Sequence, residues 1–67
     1  MAAPRLLVVD DEPDVVDFLT RVLEPEGFEV IPAYDGLSAL DLAESEAPDL
    51  VILDIMILAL GFVLRAV

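Results

Sequence analysis

Sixty-seven residues make one small domain or part of a larger one, and a chain of this size buries only roughly 60% of the surface it exposes when unfolded. It has neither cysteine nor histidine, which excludes a disulfide, a thiolate or imidazole metal site, and an imidazole general base. Fourteen acids against three basic residues, net −11, repel a phosphate backbone, argue against nucleic-acid binding, and favour a hard cation with oxygen ligands.

The first apolar run, Leu6-Leu7-Val8-Val9, passes directly into Asp10-Asp11. It is too short for a signal peptide, so the cytoplasm is the default location. Its lack of alternation predicts a strand over 5–9 buried on both faces, as in a parallel sheet. Asp11-Glu12-Pro13-Asp14 then starts a helix, with an Asp available as cap, Pro in the first turn and acids near the positive dipole end. Val15, Leu19, Val22 and Leu23 follow at helical spacing with Phe18 beside them, and Asp14, Asp17, Arg21 and Glu24 lie on the other side. Pro25 and Gly27 end that helix.

A second strand is predicted over 28–33, where Glu29 and Pro32 suit an edge position. Asp35-Gly36 is turn chemistry. A helix over 37–46 follows, with Leu37, Leu40, Ala43 and then Ala47 as its inward residues, and Pro48 closes it. Asp49 to Leu53 forms the third strand, another unbroken apolar run, and ends at Asp54. The alternating β-α-β-α-β order with short connections predicts a parallel sheet. The purely apolar first strand belongs in the middle, giving the spatial order 2-1-3. The crevice where ligands bind such sheets then lies between strands one and three at their carboxyl ends, beside Asp10, Asp11 and Asp54.

The last eighteen residues carry only Asp54 and Arg65 as charges. A membrane span needs about 20 apolar residues, and an acid within one costs roughly 2.5–3.5 kcal/mol. No membrane role is expected. Three clustered carboxylates need a proton or a metal to neutralise them. Mg²⁺ takes one or two carboxylates and keeps sites for water and phosphate oxygens. A metal held by Asp10 and Asp11 leaves Asp54 as a nucleophile for phosphoryl transfer.

LLVVDDEPDVVDFL, GFEVIPAYDGLSALDLAE and PDLVILDIM together resemble the N-terminal half of a response-regulator receiver domain of two-component signalling. The resemblance covers about residues 5 to 56 and implies a truncated flavodoxin-like (CheY-like) doubly wound α/β fold. It further implies Asp54 as phosphoacceptor, Asp11 as main Mg²⁺ ligand, Asp10 as a second ligand through water, and Met56 as a backbone-carbonyl ligand. The phosphoryl donor it implies is a phosphohistidine on a sensor histidine kinase. Residues 57–67 diverge: Gly61-Phe62 and Leu64-Arg65 are kept, but the family's Pro and Asp after Met56 are missing. The sequence also has no lysine, whereas the family's later strands supply a Thr or Ser and a Lys to the phosphoryl group.

Three functions compete on these residues. The first is a phosphoacceptor module, not an enzyme in the usual sense, impaired by the missing half. The second is a non-catalytic receiver remnant that self-associates through the edge of strand three and the apolar tail after it. The third is a hydrolase with an aspartyl-phosphate intermediate, which ranks below because such enzymes place the nucleophile on the first strand and a second Asp two residues later, where this chain has Glu12.

Overall fold

A computed structural model describes residues 3–53. Three parallel strands, β1 (Arg5–Val9), β2 (Glu29–Ala33) and β3 (Leu50–Leu53), form a sheet in the order β2-β1-β3. Two helices, α1 (Pro13–Leu23) and α2 (Gly36–Glu46), connect them. The α/β architecture and the strand order expected from the sequence are both present.

β1 is central because its side chains are apolar on both faces. Leu6, Leu7, Val8 and Val9 are all buried, Val8 completely. Leu7 and Val9 join Ile31, Ala33 and Ala39 in one cluster, with Leu42 and Ala43 of α2 packed against it. Leu6 and Val8 point to the opposite sheet face by the alternation of a strand, and α1 lies against β1 and β2 there with Val16 buried. The strand bearing Glu29 and Pro32 is at one edge, as their side chains require.

The entry to α1 differs in detail from the expected Asp11 cap. Glu12 occupies the capping position in an extended conformation, and its side chain makes no capping bond. Its carbonyl accepts from the amides of Val15 and Val16. Pro13 opens the helix, where its missing N–H costs nothing and its fixed φ is already helical. At the other end a short 3₁₀ turn, Glu24–Glu26, leads to Gly27 at φ 97°, a conformation that glycine adopts without a Cβ penalty.

Both helices turn inward a stripe that only partly matches the one expected, sharing Leu19 and Leu23 on α1 and Ala43 on α2. On α1, Val16 is buried and Leu19, Thr20 and Leu23 are half-buried, while Val15, Phe18 and Val22 are exposed. On α2, Ala39, Leu42 and Ala43 meet the sheet, Leu37 and Leu40 are 77% and 59% exposed, and Ala47 is exposed. Each helix carries more apolar residues than a half-buried helix can hide, so spacing alone leaves two overlapping stripes. On α2 the small side chains of Ala39 and Ala43 permit close approach to β1 and β2. Leu37 and Leu40 stay outside. Ala47 ends the helix in the left-handed region at φ 46°.

Candidate functional site at the carboxyl edge of the sheet

The sheet's two ends differ in how their charges are satisfied. At the amino end, Arg5 reaches three segments. Its Nε donates to Glu29 at 3.2 Å, its terminal nitrogens donate to the carbonyl and carboxylate of Glu46, and its backbone amide donates to the Asp49 carboxylate at 2.7 Å. The amide of Asp49 in turn donates to the Arg5 carbonyl at 2.8 Å. This clamp joins β1, β2, the last turn of α2 and the start of β3. The Glu46 carboxylate, and secondarily Glu29, raises the Arg5 pKa above its ordinary value.

At the carboxyl end, Asp10 follows the last buried residue of β1. Its amide donates to the Ala33 carbonyl at 3.1 Å, carrying the β1–β2 ladder one residue past the strand. One carboxylate oxygen accepts from the Glu12 amide at 2.9 Å, a local Asx turn that fixes the side chain at the strand end. Asp10 is half-buried and Asp11 exposed. Neither is in an ion pair among the described residues, where the arginines pair with Glu29, Glu46 and Asp17. Among the described residues this edge therefore keeps hard anionic oxygens without a cationic side chain beside them, and oxygen donors of this kind suit Mg²⁺.

β3 runs beside β1 in parallel register, with Val9 opposite Leu53. Asp54 and Met56 lie outside the described residues, as does the tail after them. Asp35, which sequence reasoning treated only as turn chemistry, also follows a strand at this edge and has a different task. Its carboxylate accepts from the amide of Ser38 at 2.8 Å and from its hydroxyl at 3.1 Å, capping α2. The amide bond first, and then the hydroxyl, hold the Asp35 carboxyl below its ordinary range. The Asp-x-x-Ser spacing is the signal for it. Arg5 is the other residue missed, since its partners lie 24 to 44 positions away.

A family model, "Response regulator receiver domain", matches residues 6–60. The chain belongs to that family. Curated relatives of this receiver include the regulatory protein VanRc of Enterococcus gallinarum, 49% identical over 53 residues that make up 79% of this chain and 23% of the relative. Another is the alkaline phosphatase synthesis transcriptional regulatory protein PhoP of Bacillus subtilis (strain 168), 51% identical over 53 residues, 79% of this chain and 22% of the relative. The receiver thus spans less than a quarter of the length of these relatives. Its family is that of two-component signalling. Among the described residues no helix is long and apolar enough to cross a membrane.

Proposed function

We propose that this receiver accepts a phosphoryl group on Asp54, with Mg²⁺ held by Asp10, Asp11, Asp54 and the backbone carbonyl of Met56. The donor is a phosphohistidine on a sensor histidine kinase, and the compartment is the cytoplasm. The observation that carries the reading is the parallel register of β1 and β3. Val9 stands opposite Leu53, so the two strands finish side by side at the same end of the sheet.

A carboxylate oxygen of Asp54 attacks phosphorus, the P–N bond of the donor breaks, and the imidazole leaves with the electron pair. Mg²⁺, when bound there, would supply positive charge to offset that of the transferring group. Asp10, steadied by the Glu12 amide, and Asp11, open to solvent, would hold that ion at the end of a buried strand. The whole step is a signalling event, and its acyl phosphate is the signal. No lysine is present in the 67 residues, so phosphorylation of this chain alone is slower than in a receiver that has one.

Incubation with acetyl phosphate and Mg²⁺, followed by intact-mass analysis, tests the proposal. The expected result is one hydroxylamine-labile phosphate that disappears in Asp54→Asn. A sample with a native circular dichroism spectrum that takes up no phosphate, or takes it up on another acid, refutes it.

A further inference from the structure

The unbroken apolar run that marks β3 as a strand leaves its register unmarked. Leu50, Val51, Ile52 and Leu53 are all apolar, so sliding the strand one residue past β1 replaces each side chain by another apolar one. Hydrophobic patterning specifies pairing only where polar and apolar positions differ. β2 is marked from within. The Glu29 amide donates to the Pro4 carbonyl and the Asp10 amide to the Ala33 carbonyl, so Glu29, Ile31 and Ala33 bond to β1 while Pro32, which has no N–H, faces away. A slip of one residue would turn Pro32 toward β1 and lose a ladder bond. β3 has no such residue within it, yet it pairs in a defined register, Leu6 with Leu50 through Val9 with Leu53.

What distinguishes this register stands just before its first pair. In a parallel ladder the N–H and C=O of one residue bond to two different residues of the neighbouring strand. At Arg5 both go to Asp49. The Asp49 amide donates to the Arg5 carbonyl at 2.8 Å, and the Arg5 amide donates to an Asp49 carboxylate oxygen at 2.7 Å. Among residues 48–53 only Asp49 can close that ring. Pro48 has no N–H to give, and the side chains of Leu50, Val51, Ile52 and Leu53 have no acceptor. The Arg5 side chain also donates to the carbonyl and the carboxylate of Glu46, the last residue of α2. One residue of the central strand thus grips both ends of the connection from Glu46 to Asp49. A slip of one residue moves β3 by about 3.3 Å, which Ala47 and Pro48 can accommodate only if one grip breaks.

We propose that Asp49 is a positioning residue that locks the register of β3 on Arg5, and with it the point where β3 finishes beside β1. Asp10 follows Val9 and Asp54 follows Leu53 in the sequence, so a lock at the amino edge decides which residues of the two strands reach the carboxyl edge together. Its bearing on Mg²⁺ and phosphorylation rests on the function proposed above; the lock itself does not.

Nuclear magnetic resonance of the 67-residue chain tests it. In the wild type the Arg5 amide should exchange with solvent at least about tenfold more slowly than in an unfolded chain. Asp49→Ala should raise the population of slipped registers by about two- to tenfold, the net worth of one hydrogen bond, seen as relaxation dispersion in residues 50–53 and not in β2. Asp49→Asn, whose side-chain oxygen still accepts from the Arg5 amide, should restore wild-type behaviour. An Arg5 amide that exchanges at the unfolded rate, dispersion equal in β2 and β3, or an Asp49→Asn no better than Asp49→Ala would overturn the proposal. The wild-type exchange rate decides the matter if the alanine variant does not fold. A Mg²⁺ titration separates the lock from the site: binding should weaken in Asp49→Ala and be kept in Asp49→Asn. Unchanged Mg²⁺ binding beside a slipped β3 would count against the proposed metal site and leave the lock standing.

Discussion

Shortening Leu7 to alanine removes three carbons from the middle of the central strand. Leu7 is 1% exposed and packs in the cluster of Val9, Ile31, Ala33 and Ala39. At about 0.8 kcal/mol per buried carbon, the transfer loss is about 2.4 kcal/mol. The cavity left beneath α2 adds to it, because Ala39 and Ala43 are too small to move in and fill the space, giving a total of about 3–5 kcal/mol. A chain of 67 residues has roughly 3–10 kcal/mol of stability in all. Leu7→Ala should therefore remove a third of it at least, and can unfold the chain. The comparison variant is Leu37→Ala on the exposed side of α2, expected to change stability by no more than about 0.5 kcal/mol. Urea unfolding followed by circular dichroism measures both. Equal losses in the two variants, or a loss below about 1 kcal/mol for Leu7→Ala, would refute the assignment of the α2 face.

Asp35→Ala should destabilise the chain near neutral pH and flatten its acid unfolding limb. The folded carboxyl is held below its ordinary 3.8, so its contribution is complete above that value and disappears as pH falls through the depressed one; urea midpoints across pH 2 to 7 in wild type and variant check the sign. Asp11→Asn should weaken Mg²⁺ binding by at least about tenfold, the lower end of what even outer partners of a metal site cost. The chain's one tyrosine, Tyr34, follows β2 at the same sheet edge and offers an intrinsic fluorescence probe for the titration. Ala47→Gly should stabilise the chain by about 0.5–1 kcal/mol, because Ala47 holds φ 46°, where a Cβ is penalised and glycine is not; the urea midpoint again reads it.

The strands were legible because their signals are nearly exclusive. An apolar run with no alternation and an acid at its end has few other readings, and Glu29 with Pro32 separates an edge strand from a central one. Those features sufficed for the order of the sheet and for placing Asp10 and Asp11 at its carboxyl edge. The helix faces were less legible for a physical reason. On α2, the stripes Leu37–Leu40–Ala43 and Ala39–Leu42–Ala43 both fit a helical repeat, and hydrophobicity favours the larger leucines. Packing chose the smaller residues because they let α2 lie close to Leu7 and Val9. Likewise α1 carries Val15, Phe18 and Val22 on a flank that spacing could not tell from the buried stripe of Val16, Leu19 and Leu23. The Arg5 clamp left no trace in the sequence, since Glu29, Glu46 and Asp49 become its partners only after the chain has folded twice across the sheet.

That clamp bears on the site at the other end. Arg5 and Arg21 are both paired with acids of their own surroundings, at the amino edge and along the exposed side of α1 respectively. With those cations spent, Asp10 and Asp11 have no guanidinium partner among the described residues. The arrangement is costly as structure, since adjacent carboxylates repel each other and, among the described residues, only the Glu12 amide donates to either of them. It is useful as chemistry, because an uncompensated pair of oxygen donors at the end of a buried strand attracts a divalent cation without first having to break an ion pair. A net charge of −11 strengthens that attraction, and added salt should weaken it by screening.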